Sequence, residues 1–568
     1  MNEDFRKQAP APLAPVPFNI PRPFETVLPN GLKVVVFEDK RFPLVSFRLA
    51  FTVGEAHDAD DATGQTSALV SMLTEGTKNR SSKQLAEEIE RLGAHLSASS
   101  SSDNIVVSAS SLTFYRTDIM NLMAEVVLTP TFPESELSLY IQNTLENLKF
   151  QRSQPNFLAD EQISRIIYGK HPYRVASPSP ADVEKITREK LFELHGKSFI
   201  PNVATFIVVG DVERDEILKE IEEKFGGWQQ GSVGEVVFPD PPERTETTLT
   251  IVDRPGSAQS NIVISNLAIK RSSEDYFAFL LMNQILGAGA SSRLFMNLRE
   301  EKGYTYGAYS SIDARRLAGS FEATSEVRTA VTGESLKEFF YELNRIRDAK
   351  ASEQELNDAK NFLTGVFPIR AETQEGLTNL IVSQKLYDLP EDYLQTYRDK
   401  INEITIEDVE RVAKKYITPD KIALVIVGDA ENILEQVKSY ARTIEIYDTE
   451  GNLQNMDNYK QDESVEAASV AGRWNLNLSA MGQELKVSLI LEQNGNEVSG
   501  KLETMFGNGD ITYGRVKGNQ LTATAVAEVQ GQSAEFTING TVEGDSVSGS
   551  LSTQMIPMPL EFTGTREK

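Results

Sequence analysis

Short apolar runs bounded by turn residues alternate along this chain with stretches in which apolar residues recur every three or four positions. Residues 32–37 and 44–53 are apolar and rich in β-branched side chains. Set off by the Pro29-Asn30-Gly31 turn and the charged stretch 38–41, they predict two strands. Residues 64–77 predict a short, largely buried helix. In the next segment Leu85, Ile89 and Leu92 fall on one helical face, with Ser82 as its cap and Gly93 as its stop. Residues 94–108 mix small and polar side chains around Ile105, Val106 and Val107. They predict a strand, either at a cleft edge open to an extended peptide or covered within a sheet. After Pro133, the residues Leu137, Ile141, Leu145 and Leu148 again keep helical spacing, with Glu146 and Asn147 on the polar face.

The pattern then repeats itself. Ile186-Thr187, an amphipathic helix, Pro201, an apolar strand and Gly210-Asp211 are echoed by Ile404-Thr405, a helix, Pro419, a strand and Gly428-Asp429. One ungapped spacing relates the copies, since 404 − 186 and 429 − 211 both give 218. Duplication of an α/β domain accounts for this better than chance. A proline-rich linker, 238–244, separates the copies, and two such domains on an extended linker suggest half of a hinged shell. From residue 472 onward the pattern changes to short β-like segments with glycine turns. Gly495-Asn496-Glu497-Val498-Ser499-Gly500 is echoed by Gly544-Asp545-Ser546-Val547-Ser548-Gly549, which predicts repeated hairpins. The expected fold is therefore α+β: tandem duplicated α/β domains followed by an antiparallel β-sandwich or small barrel, with Trp474 plugging its core. The expected segments are an extended lead-in (1–23), a first domain (24–236), a linker (237–246), a second domain (247–447), an acidic linker (448–470) and a β-rich accessory domain (471–568).

Composition narrows the function. The 568 residues carry a formal net charge of −26 and show no basic stripe, which argues against a nucleic-acid partner. No apolar run is long enough to span a bilayer, so no transmembrane insertion is expected. Without cysteine there are no disulfides, thiolate metal sites or cysteine nucleophiles. The four histidines, His57, His95, His171 and His195, form no HxxH, HxxxH or HxxEH pattern. The proline-rich start is not an intact signal peptide. The protein is expected in the periplasm if an export signal has been removed, and otherwise in the cytoplasm.

Residues 64–77 have the frame of a zinc peptidase helix without its chemistry. An HxxEH helix sets two histidines at i and i+4 to hold zinc, with a glutamate acting on the bound water. Here Ser67, Val70 and Ser71 stand at those places. This frame, the opening Leu28-Pro29-Asn30-Gly31-Leu32, Leu92-Gly93-Ala94, Tyr168-Gly169-Lys170-His171-Pro172-Tyr173 and the internal repeat together resemble the pitrilysin and mitochondrial-processing-peptidase (M16-like) superfamily. The likeness extends over residues 24–447. It implies that Ser67 and Ser71 replace the zinc histidines, Val70 the base, and Asn147 the distal zinc-binding glutamate. Glu146 is the adjacent acid; shifting the alignment by one residue restores one carboxylate but not two histidines.

The resemblance also maps the family's arginine–tyrosine pair, seven residues apart, onto Arg299 and Tyr306. In such enzymes these groups support catalysis from the C-terminal domain, where an arginine fork and a tyrosine hydroxyl suit a peptide carbonyl or its developing oxyanion. The expectation is a non-catalytic, zinc-free subunit of a heterodimeric metallopeptidase acting on unfolded or extended peptides. It would hold no cofactor itself; its HxxEH-bearing homologous partner would bring the zinc, and Arg299 and Tyr306 would reach the composite site. The alternative is a stand-alone peptide-binding or scaffold pseudopeptidase.

Overall fold

The computed structural model describes residues 18–234, 236–459, 467–480, 483–504, 507–529, 532–553 and 556–567. The lead-in up to residue 17 and the part of the acidic linker from 460 to 466 lie outside these. Contacts divide the chain into two compact units. One comprises Met1–Thr248, Val263–Ser325 and Lys337–Leu424; the other comprises Leu249–Ile262, Glu326–Leu336 and Val425–Lys568.

The first half is built on a six-stranded sheet: β1 (Phe24–Val27), β2 (Lys33–Glu38), β3 (Leu44–Phe51), β4 (His95–Ser100), β5 (Ile105–Leu112) and β6 (Ala204–Gly210), in the order β1-β2-β6-β3-β5-β4. The predicted segment 94–108 thus resolves into two strands joined by a turn, and β4 is a sheet edge. The strands β2, β3 and β6 are near-continuous apolar runs because helices cover both faces. Phe47, Leu49 and Phe206 belong to a core with the helices of the first half, including Gln65–Met72. On the other face Val35, Ala50, Ile207 and Val209 pack with Phe367, Leu377 and Ile381 from the helices Glu353–Glu372 and Gln374–Leu386. Gln374 clasps this face, its amide donating to the Leu44 carbonyl at 2.9 Å and the Val209 carbonyl at 3.0 Å, and Arg48 pairs with Glu375.

The second half has its own six-stranded sheet: β7 (Thr248–Asp253), β8 (Gln259–Leu267), β9 (Thr305–Ala314), β10 (Gly319–Arg328), β11 (Ala423–Gly428) and β12 (Thr443–Tyr447), in the order β12-β7-β11-β8-β10-β9. The duplication read from the sequence is a structural one. The helices Arg188–Ser198 and Ile406–Tyr416 occupy matching positions, capped by the hydroxyls of Thr187 and Thr405, and lead into β6 and β11. The cap of the Ser82–Arg91 helix, in contrast, is Ser81 and not Ser82. Its hydroxyl accepts from the Gln84 amide while the Gln84 side chain returns to the Ser81 backbone, a reciprocal box that only the one-residue shift permits.

The remaining choice between sandwich and barrel falls to the barrel. Strands β13 (Gly472–Ala480), β14 (Gln483–Asn494), β15 (Glu497–Thr504), β16 (Gly507–Lys517), β17 (Gln520–Val529), β18 (Gln532–Glu543), β19 (Ser546–Thr553) and β20 (Ile556–Arg566) pair in sequence order, and β20 closes onto β13. The two echoed motifs are its matching two-residue hairpin turns, with Gly495 and Gly544 both at φ +63°. Trp474 is buried in the barrel core and donates its indole N–H to the Val470 carbonyl at 2.8 Å. Among the described residues no helix is long and apolar enough to cross a membrane.

Candidate functional site

The helix Gln65–Met72 begins at Gly64, whose φ of +86° favours glycine and where a Cβ would lie 2.8 Å from Pro178. Its N-terminus is held from outside. The Asp58 carboxylate accepts from the Thr66 backbone N–H at 3.2 Å and from the Thr66 hydroxyl at 2.6 Å. Burial pushes the Asp58 carboxyl up to about 6, against the pull of those Thr66 hydrogen bonds.

A cavity of about 540 Å³ opens beside this helix. Ser67 and Ser71 line it, and so do Thr144, Asn147 and Gln151 from the Glu134–Arg152 helix. The fold therefore brings Ser67, Ser71 and Asn147 to one space. Glu146 is turned away and pairs with Lys149 at 2.7 Å. Val70 does not line the cavity; it is 3% exposed and belongs to the apolar core of the first half. Glu55, Asp58 and Asp60 complete an acidic wall that the motif search passed over, although the run Glu55-Ala56-His57-Asp58-Ala59-Asp60-Asp61 was its visible signal.

These groups do not suit zinc. The hydroxyls of Ser67 and Ser71 and the Asn147 amide are poor zinc donors beside imidazole or carboxylate, and the buried Val70 isopropyl group cannot move a proton. Among the described residues no group of three or more His, Cys, Asp or Glu is placed to hold a metal. A serine nucleophile is no better served. The Ser71 hydroxyl donates back to the Ser67 carbonyl at 2.9 Å, and no histidine lines the cavity to act as base. His171 accepts from the Tyr173 backbone N–H at 3.1 Å, while His195 lies 2.8 Å from the Val127 carbonyl; burial lowers the pKa of both.

Arg299 and Tyr306 are not among the residues lining this cavity. Arg299 sits on a π-helical turn, Met296–Glu301, in which the Lys302 N–H reaches back to the Asn297 carbonyl. Leu298 and Asn297 anchor the turn inward, Asn297 through Glu338 and Glu342. The Arg299 guanidinium lies 4.8 Å from the Phe295 ring centroid and 3.4 Å from Glu300. After Gly303 ends the turn at φ +65°, β9 carries Tyr306, which is 89% exposed.

The Tyr168–Tyr173 motif has a tertiary role that sequence reading missed. The Tyr173 hydroxyl donates to Asp103 and accepts from the Leu317 N–H at 3.2 Å, while the Arg316 N–H donates to Asp103 at 2.9 Å. The first half thereby grips the β9–β10 turn, and the Arg315 guanidinium lies 4.8 Å from the Tyr173 ring centroid.

Comparison with known proteins places this geometry in context. The family model described as Insulinase (Peptidase family M16) matches residues 33–178, and the one described as Peptidase M16 inactive domain matches residues 185–363. A Bacillus subtilis (strain 168) protein named as an uncharacterized zinc protease, YmxG, is 22% identical over 417 residues, covering 71% of this chain and 98% of its own length. A Helicobacter pylori (strain 26695) protein named as a non-peptidase homolog, YmxG, is 22% identical over 411 residues, covering 70% of this chain and 93% of its own length. The crystal structure of a peptidase M16 inactive domain from Pseudomonas fluorescens superposes with a TM-score of 0.68 at 27% identity, covering 72% of this chain and 97% of that one. A protease structure from Helicobacter pylori shares the fold at TM-score 0.67 and 19% identity, covering 72% of this chain and 100% of that one.

Proposed function

This chain belongs to the insulinase-like M16 peptidase superfamily as a zinc-free, non-catalytic member, and on that premise we propose that it is the supporting subunit of a heterodimeric metallopeptidase. The observation that carries the reading is a division within one molecule. The cavity carries Ser67, Ser71 and Asn147 where the resemblance expects two histidines and a glutamate, while Arg299 and Tyr306 stand on a well-anchored turn and strand with Tyr306 almost wholly exposed.

An HxxEH-bearing homologue would supply the zinc and the base. This chain would supply a guanidinium and a phenol to hydrogen-bond the scissile carbonyl as negative charge builds on its oxygen. An unfolded or extended peptide is the substrate class, because the polar edge strand β4 and the acidic cavity wall both suit a chain that presents its backbone.

The test is peptide turnover by this protein alone, by an HxxEH homologue alone, and by the mixture. Turnover confined to, or strongly raised in, the mixture is expected. Within the assembled pair Arg299→Ala and Tyr306→Phe should each lower kcat by about 100-fold to 1,000-fold, the range for losing a donor to a developing oxyanion, without dissociating it. Undiminished kcat in both variants would sink the shared-site assignment. Peptide retention with no partner requirement would place the protein among stand-alone binding or scaffold proteins.

A further inference from the structure

The 218-residue spacing relates more than the repeated strand ends. It carries Pro155–Tyr168 onto 373–386, which holds the helix Gln374–Leu386, and most of the Glu134–Arg152 helix onto Glu353–Glu372. Thr144, Asn147, Leu148 and Gln151, the face that lines the first-half cavity, then fall on Phe362, Gly365, Val366 and Ile369. These positions at i, i+3, i+4 and i+7 share one side of the helix. They are not its buried side, which Leu356, Ala359, Phe367 and Ala371 form. Phe362 is 53% exposed and Ile369 is 65% exposed, and a Cβ added at Gly365 would meet nothing within 4 Å. Scattered exposed apolar residues are ordinary, but an aligned apolar stripe on the outward side of a helix whose inner side is already packed calls for an occupant.

We propose that this stripe is a docking site for an apolar segment of an unfolded polypeptide bound in extended form. The inference rests on the peptide-handling role proposed above and names a second contact point for the same substrate. The matching face in the first half borders a cavity, so this side of the duplicated helix faces outward from the packed core in both halves. Hydroxyl and amide side chains there have become phenyl, hydrogen and sec-butyl groups here, which changes the complementary ligand from polar to apolar.

Gly365 leaves the middle of the stripe open to a peptide backbone. From Phe362 to Ile369 the helix rises about 10 Å, between the roughly 7 Å and 13 Å that separate same-face side chains two and four residues apart in an extended strand, so two side chains from one face of a bound strand can reach the pair. Exposed Asp358, one turn before Phe362 on the same side of the helix and on a chain of net charge −26, favours a basic residue at that end of the ligand.

The full-length protein would be titrated against two fluorescein-labelled peptides: one alternating leucine and serine with a lysine at one end, the other with serine at every leucine position. The leucine peptide should bind and the serine peptide should not. Phe362→Ser combined with Ile369→Ser should raise the Kd for the leucine peptide at least tenfold. Gly365→Leu should also weaken binding, although it adds apolar surface and improves helix propensity. Unchanged affinity in the double variant would overturn the proposal, as would tighter binding by Gly365→Leu.

Sedimentation of each variant with and without an HxxEH homologue separates the rival occupants. If the double variant abolishes association with the homologue or with a second copy, the stripe is a subunit interface and the proposal fails. If peptide binding is lost as expected but no mixture turns over peptide, the docking site stands and only the divided-enzyme reading falls.

Discussion

At the scale of single residues, the position that the resemblance matches to a peptidase base is packed as core. Val70 is part of that core, so placing a base there means burying a charge. Val70→Glu should cost about 2–4 kcal/mol of stability, whereas Ser67→Ala should stay within about 0.5 kcal/mol. Urea unfolding midpoints of the two variants check this. Asp58 gives a pH signature. Its folded-state pKa of about 6 lies above the ordinary value of 3.8, so the folded state holds the proton longer than the unfolded chain does. Stability from this group is present at low pH and is lost as pH rises from about 4 through 6, by about 1–3 kcal/mol. Asp58→Asn should remove that decline, seen as a difference in unfolding free energy that grows across this window and is flat above it. A parallel pH dependence in the two proteins would refute the assignment. The residue types at 67, 70 and 71 are given by the sequence alone. The burial of Val70 is not, because helical spacing does not say which side of a short apolar helix meets solvent.

At the scale of elements, the repeat and the hairpins were legible, while the one cap named from sequence, Ser82, lies a residue beyond the true cap Ser81. Thr187 and Thr405 cap their helices, and Thr405→Ala should destabilise by about 1 kcal/mol in a urea titration. The hairpin turns at Gly495 and Gly544 were equally visible, since a two-residue turn with positive φ selects glycine. Long-range contacts were not visible. Tyr173 was recognised as part of a motif, yet its work is to hold the β9–β10 turn through Asp103 and Leu317, 70 and 144 residues away. Burial and the neighbouring Asp103 push the Tyr173 phenol far above its usual range, which keeps it a hydrogen-bond donor throughout the physiological pH range. Tyr173→Phe removes that donor and leaves the Asp103 carboxylate one partner short. About 1–3 kcal/mol should be lost, and proteolysis at Arg315 and Arg316 should quicken. Unaltered cleavage there would argue that the turn is held by other contacts.

At the scale of the whole molecule, the C-terminal barrel is the part with the most complete internal pairing. Each of its eight strands has two neighbours, and Trp474, Leu489, Leu502, Ile538 and Phe562 contribute to a core of its own. A closed barrel leaves no unpaired edge. A fragment of residues 467–568 should therefore fold by itself, with a cooperative melt and blue-shifted Trp474 fluorescence; a non-cooperative melt would show dependence on the remaining chain. Within its unit the barrel also meets the segment carrying Glu431, which lies 3.5 Å from Arg515 and 3.4 Å from Lys517. What the sequence by itself determined was which side chains stand at 67, 70, 71 and 147 and that the α/β domain is duplicated, because residue identity and repeat spacing are properties of the linear chain. Only the tertiary structure decided that the β-rich end closes into a barrel, that Ser67, Ser71 and Asn147 border one cavity with an acidic wall, and that Phe362 and Ile369 face outward. Those outcomes depend on which distant segments exclude water from one another, and local periodicity carries no record of a partner 70 or 200 residues away.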